Sequence, residues 1–267
     1  MRRTWFIASV LAFSFVGMLL GYTIWRDAKQ NPFSVTVDGA QMEAANSHYE
    51  RGDYALAAKT YEQMINQDII QADLYYNLGN SYFKLGELGK AIAAYREAKS
   101  LKPRDADIQA NLQLCRRLRA ERIIDEGQNM GILGVISQPF TLDEHAFIAL
   151  GLWFLFAILL MMFSGNRRLS VRRDVLLYTT LIILAMSIIA LGERLYEANT
   201  NRQGVIVVDE VAVLSGPGQQ YAIQFLLHDG AEIFIMEERA NWARIELSGG
   251  KMQGWVENNR ILSILSP

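Results

Sequence analysis

The chain has few of the residues on which most enzymes and metalloproteins depend. Its 267 residues include one cysteine and three histidines. A single thiol cannot form a disulfide within the chain, and Cys115 is predicted to be a small buried residue of a helix. His48, His145 and His228 are far apart, and no HExxH, P-loop, strand-linked GxGxxG or CxxC motif is present. We therefore predict no catalytic residue, no metal site and no cofactor.

The chain also lacks a strong charge of either sign. Its net charge is −2, which gives no indication of nucleic acid as a partner. The apolar residues, 51% of the total, are concentrated in three long runs that contain no ionisable residue. These runs are residues 5–25, 146–163 and 175–191. Their lengths are typical of bilayer-spanning helices, and the absence of ionisable residues within them argues against a transporter or a proton relay.

Arginines between the second and third runs predict an orientation. Four of them lie in 164–174, and Arg2 and Arg3 precede the first run. The positive-inside rule places these segments in the cytoplasm. We expect an N-terminal anchor or cleaved signal segment at 1–30 and a transmembrane hairpin at 141–195, with the rest of the chain on the outer side of the membrane.

Two segments, 38–71 and 72–105, match at a fixed offset of 34 residues. A period in this range is typical of helical solenoids, which usually hold a partner. Each unit is expected to form two helices joined by a turn, at Gly52 in the first unit and at Gly86 in the second. A further helix after the second unit would cap the solenoid, so the repeat domain is predicted over 38–125.

The second unit resembles the tetratricopeptide repeat (TPR) family. The family pattern W-x2-L-G-x2-Y, A-x3-F, P is matched with an aromatic for each aromatic. The matching residues are Tyr75, Leu78, Gly79, Tyr82, Ala91, Tyr95 and Pro103. The first unit is degenerate and is supported mainly by the shared period. The resemblance implies an all-α solenoid in which the first helix of each unit lines a groove.

Asparagines and aromatic residues fall at the positions that line this groove in the family. The predicted partner-binding residues are Asn46, Tyr49, Tyr76, Asn77, Asn80, Phe83 and Asn111. An asparagine offers donors and an acceptor, so it can pair with the backbone of an extended peptide of any sequence. Asn46 and Asn77 match two asparagines with which some family members clamp a C-terminal carboxylate, but Met42 and Asp107 replace lysines of that clamp. A general peptide groove is therefore favoured, and the alternative is that these asparagines are ordinary solvated residues.

From Gly204 the pattern changes to short β-like runs separated by glycine turns, which predicts a small all-β barrel over 200–267. The order of Ser215-Gly216-Pro217, Leu227-His228-Asp229-Gly230, Trp242-Ala243-Arg244-Ile245 and Gly254-Trp255-Val256 resembles a bacterial SH3-like domain. Leu214 replaces the arginine that usually precedes the Ser-Gly-Pro turn. We expect the two tryptophans to serve packing rather than ligand binding.

The order of these parts resembles the BatE family of bacterial aerotolerance (Bat) operons. The expected fold class is a multidomain membrane protein with an all-α TPR solenoid, transmembrane helices and a small all-β SH3-like barrel. The resemblance implies a non-catalytic scaffold in the bacterial inner membrane that binds von Willebrand factor A (VWA)-domain membrane proteins, together with a MoxR-type ATPase, in stress tolerance. Two alternatives stay open. In one, the SH3-like domain binds peptidoglycan and the repeats recruit a wall enzyme. In the other, a regulatory subunit signals through the hairpin.

Overall fold

The computed structural model describes residues 39–119, 142–163, 171–200, 202–247 and 252–264. The chain divides into two compact units. One consists of residues 1–34 and 140–195, and the other of residues 35–139 and 196–267. The predicted anchor or signal segment at 1–30 lies outside the described residues.

Five helices form the first half of the larger unit. They are α1 (Gly39–Glu50), α2 (Tyr54–Ile65), α3 (Ala72–Leu85), α4 (Leu88–Leu101) and α5 (Ala106–Leu118). Glycine permits both turns between paired helices, because Gly52 has φ 85° and Gly86 has φ 80°, a left-handed conformation that side chains disfavour. Asp105 begins α5 by accepting hydrogen bonds from the backbone amides of Asp107 and Ile108.

Small residues allow the paired helices to approach each other closely. Ala45 and Ala57 are fully buried, as is Ala91 in α4. A Cβ added at Gly79 would lie 2.8 Å from the ring of Tyr95, so no larger residue fits there without movement of that ring.

Seven antiparallel strands form the second half of the same unit. They are β1 (Arg202–Ile206), β2 (Glu210–Leu214), β3 (Ile223–His228), β4 (Glu232–Arg239), β5 (Trp242–Leu247), β6 (Gln253–Glu257) and β7 (Ile261–Ile264). Their order in the sheet is β3-β2-β6-β5-β4-β1-β7. Alternate side chains of these strands, such as Ile233, Ile245 and Val256, pack in one apolar cluster.

The sheet is open, so the prediction of a closed SH3-like barrel is wrong. Closure would require the two edge strands, β3 and β7, to pair, and among the described strands β7 pairs only with β1. Both β1 and β7 instead lie against helix α4. Val205 of β1 and Ile264 of β7 are buried in the helical core beside residues such as Ile92. The helices thus cover the end of the sheet that β1 and β7 form.

The smaller unit contains two long helices, α6 (Leu142–Phe163) and α7 (Val171–Thr200), of which the second extends beyond it. Both expose large apolar side chains, Phe147, Tyr178 and Ile182 among them. Helix α7 begins at Val171, so part of the predicted cytoplasmic arginine loop, 164–174, is helical.

The prediction of transmembrane helices is wrong for the part of the chain that the structure describes. Within that part, no helix combines the length and the apolarity needed to cross a bilayer. The predicted inner-membrane localisation, which depended on the hairpin, is contradicted by the same finding.

Candidate functional site

A pocket opens on the face of the repeats that is formed by α1, α3 and α5. Its volume is about 190 Å³. The side chains that line it are Tyr49, Asn80, Phe83, Lys84, Tyr95, Asn111 and Leu114. The walls are mostly aromatic or aliphatic, two amides converge on the interior, and the lysine supplies the one formal charge of the lining. Pockets that bind ligands commonly combine an apolar wall with a few converging polar groups.

The amides of the groove form hydrogen-bonded sets that repeat with the sequence. In the first set, the Tyr61 hydroxyl donates to Asn46 Oδ1 at 2.6 Å, and Asn77 Nδ2 donates to the same oxygen at 3.2 Å. In the second set, 34 residues further on, the Tyr95 hydroxyl donates to Asn80 Oδ1 at 2.7 Å, and Asn111 Nδ2 donates to it at 3.1 Å. The repeat therefore preserves a contact network as well as a fold.

Burial keeps the two tyrosines protonated, so each remains a hydrogen-bond donor. Desolvation raises the pKa of Tyr61 to about 12, and it raises the pKa of Tyr95 still further. Each hydroxyl donates its hydrogen bond to the side-chain oxygen of an asparagine. Across the described residues, the hydrogen bonds of the Asn46 and Asn80 side chains use Oδ1, while those of Asn77 and Asn111 use Nδ2.

Within the described part of the chain, one donor group and one acceptor group of each set therefore make no hydrogen bond. In the second set these groups are Asn80 Nδ2 and Asn111 Oδ1. Asn46 and Asn77 present the same combination in the first set. A donor beside an acceptor is complementary to a peptide group, whose C=O accepts and whose N–H donates.

Four of the seven predicted groove residues line the pocket itself: Tyr49, Asn80, Phe83 and Asn111. Asn46 and Asn77 form the neighbouring hydrogen-bonded set. Tyr76 is not among the lining residues but contacts two of them, since its hydroxyl accepts from Asn111 Nδ2 at 3.2 Å and its ring packs on that of Tyr95. That these residues bind a partner stays a prediction.

The sequence analysis missed three lining residues, Lys84, Tyr95 and Leu114. Lys84 and Leu114 follow Asn80 and Asn111 by four and three residues, a spacing that places side chains on one helix face. That spacing could have identified them. Tyr95 is almost fully buried, yet it lines the pocket, and its hydroxyl donates to Asn80 Oδ1.

A second polar cluster joins the helices to the sheet within the larger unit. Glu232 begins strand β4 and its side chain is 9% exposed. Its carboxylate accepts from Arg116 Nε at 2.8 Å and Arg116 Nη2 at 2.7 Å, from Arg119 Nη1 at 2.9 Å, and from Arg96 Nη1 at 3.0 Å. Burial alone would raise the pKa of Glu232, but hydrogen bonding and the three guanidinium charges outweigh burial, so the pKa is lowered from its ordinary value.

The histidines, where described, lie outside both clusters. Arg51 Nη2 contacts His48 Nδ1 at 2.8 Å, and His228 Nε2 lies 3.4 Å from Glu210. Over the described ranges, no group of three or more His, Cys, Asp or Glu side chains is arranged to hold a metal ion.

Two family models match the chain. A model described as tetratricopeptide repeat matches residues 72–105, and one described as TPR repeat matches residues 45–86. Comparison with curated proteins gives no match. The prediction of tetratricopeptide repeats is confirmed, and repeats of this kind are typically non-catalytic modules that bind other proteins. Neither match extends to the sheet.

Proposed function

We propose that this protein is a non-catalytic scaffold whose groove holds an extended segment of a partner protein. The repeats support protein binding in general. The observation that supports a peptide ligand is the pair Asn80 and Asn111, which among the described residues leave a donor (Asn80 Nδ2) and an acceptor (Asn111 Oδ1) without a hydrogen bond, an arrangement repeated at Asn46 and Asn77. Two such combinations along one groove suit a chain that presents peptide groups at regular intervals.

The side chains around the amides suggest what else the segment contributes. Tyr49, Phe83 and Leu114 would pack on an apolar side chain that enters the pocket. Lys84 would favour an acidic residue, or a terminal carboxylate, next to it. Recognition of the backbone contributes affinity with little sequence preference, so selectivity would come from these two neighbours.

The resemblance to BatE suggests VWA-domain proteins of a Bat complex as the first partners to test. The alternative of wall binding finds less support. It would need an exposed aromatic cleft on the sheet, but Trp255 is 8% exposed and the guanidinium of Arg239 lies 5.4 Å from the centre of its ring. Trp242 is half-buried. We therefore favour the groove as the site of partner binding.

The substitution Asn80→Asp tests the peptide model selectively. Aspartate keeps an acceptor for the Tyr95 hydroxyl and for Asn111 Nδ2, but it has no amide protons to donate. A library of random displayed peptides would be selected on the full chain, and the affinity of the selected peptides would be measured by calorimetry. We expect N80D to bind the selected peptides at least about tenfold more weakly than the native chain does.

Asn66→Asp is the matched control, because the substitution makes the same change in charge at an exposed residue at the end of α2. The affinity of this variant for the selected peptides should be within about twofold of that of the native chain. If the native chain selects no peptide, or if N80D and N66D bind equally well, the groove is not the binding site.

A further inference from the structure

The groove and the sheet share two helices. Tyr95, which lines the pocket, is followed in α4 by Arg96, which binds Glu232. Asn111 and Leu114 line the pocket from α5. The same helix carries Arg116 to Glu232, and Arg119 at its C-cap also binds Glu232. The two helices thus contribute residues to the pocket and also arginines that bind Glu232 of the sheet.

One carboxylate connects these helices. Glu232 Oε2 accepts from Arg96 of α4 and from Arg116 of α5, while Oε1 accepts from Arg116 and Arg119. Arg119 is 6% exposed and Glu232 is 8% exposed, so little water can replace these contacts. Three guanidinium groups around one position would repel one another without the carboxylate between them.

We propose that Glu232 is a positioning residue for the groove: by holding arginines from α4 and α5 on one carboxylate, it fixes the separation of the two helices and therefore the shape of the pocket. This inference rests on the proposed function only for its effect on affinity. Its structural half, the closure of α5 on α4, can be tested without any ligand.

The single cysteine reports that closure. Cys115 is fully buried and precedes Arg116 in α5. Burial raises the pKa of its thiol to about 12, so in the closed state it is neither accessible nor ionised. It can react with a thiol reagent only when α5 moves away from α4 or the unit unfolds.

The experiment compares the rate at which a chromogenic disulfide reagent labels Cys115 in the full chain with and without Glu232→Gln. We expect E232Q to react at least about tenfold faster. The matched control is Glu238→Gln, on the same strand, which loses only an exposed pair with Arg202 and should react within about twofold of the native chain. A native rate in E232Q would overturn the proposal.

Two further measurements separate the possible causes. If the helix opens locally, the labelling rate of E232Q should depend only weakly on urea, whereas opening by global unfolding rises steeply with urea. A steep dependence, equal to that of global unfolding, would overturn the positioning role. The affinity of the selected peptide should also fall at least about fivefold in E232Q and not in E238Q. Native affinity in E232Q would overturn the link between Glu232 and the groove. If the native chain selects no peptide, the proposed function is refuted, and the labelling rate alone then decides whether Glu232 holds α5 on α4.

Discussion

Asp229 caps helix α4 from a position 140 residues further along the chain. Its Oδ1 accepts a hydrogen bond from the backbone amide of Gly89 at 3.0 Å. Within α4, the local N-cap residue, Glu87, makes no side-chain capping bond. The sheet therefore supplies a capping group that the helix itself does not use, and a carboxylate at this end is favourable for the helix dipole.

The close contact around this cap predicts that Gly89→Ala will be strongly destabilising. An added Cβ would lie 2.2 Å from the carbonyl oxygen of Ile206 and 2.3 Å from Asp229 Oδ1. One clash is with backbone, so the helix and the sheet must separate. We expect a loss of ~1–3 kcal/mol, or more, in the free energy of unfolding measured by urea titration. Gly39→Ala, where nothing lies within 4 Å, should change it little, and equal effects of the two substitutions would contradict this account.

The arginines around Glu232 predict how stability depends on pH. Because the folded pKa of Glu232 is lowered from its ordinary 4.5, its stabilising contribution is complete above that value and is lost as the pH falls through the folded pKa. Burial raises the pKa of Asp229, which acts in the opposite sense, so the native chain must be compared with E232Q. The stability difference between them should be constant from about pH 6 to 8 and shrink below about pH 4.5. A difference independent of pH down to about pH 3 would be evidence against the ion cluster.

The repeated hydrogen-bonded sets predict that Tyr61→Phe and Tyr95→Phe will have similar effects on stability. Each removes one hydroxyl that donates to an asparagine, at Asn46 and Asn80 respectively. Each substitution should lower the free energy of unfolding, measured by thermal or urea unfolding, by about 0.5–1.5 kcal/mol. Tyr95 lines the pocket and Tyr61 does not, so Y95F should weaken peptide binding more than Y61F. Equal losses of affinity in both variants would mean that the two sets contribute equally to binding and that the pocket has no special role.

The cap of α5 offers a test that involves neither the groove nor the sheet. Asp105 accepts hydrogen bonds from the backbone amides of Asp107 and Ile108 at 3.0 and 3.1 Å. Asp105→Ala should lower the free energy of unfolding by ~0.5–2 kcal/mol. Asp105→Asn keeps a capping oxygen and should retain most of the stability. An alanine variant as stable as the native chain would show that α5 does not depend on this cap.

The helical half could be predicted from local rules, and the sheet's packing could not. The 34-residue period and the spacing from Tyr75 to Tyr82 identified the repeats, because each contact in a solenoid lies close in sequence. Glycine turns and alternation located the strands but could not show which strands become edges. The helix α4, which covers β1 and β7, lies more than 100 residues earlier.

The site divides in the same way. Asn80 and Phe83 could be placed on the groove because a helix fixes which residues share a face. The Glu232 cluster gave no such signal, because its ion pairs join positions 113 to 136 residues apart. The apolar runs 146–163 and 175–191 misled for a different reason. They were predicted from apolarity alone, and no helix of the described residues has the length and apolarity needed to cross a bilayer.

The order in which the larger unit leaves the ribosome follows from its division along the chain. Its described repeat helices end at Leu118, and the strands that cover them begin at Arg202, with residues 140–195 of the smaller unit encoded between them. At 5–20 residues per second, the ~80 intervening residues take roughly 4–16 s to synthesise. During that interval Ile92 lacks Val205 and Ile264 as neighbours, and the three arginines have no Glu232. The repeats are therefore complete before the strands that cover them have been synthesised. Until then an apolar strip and a basic cluster are exposed to any chaperone that binds such surfaces.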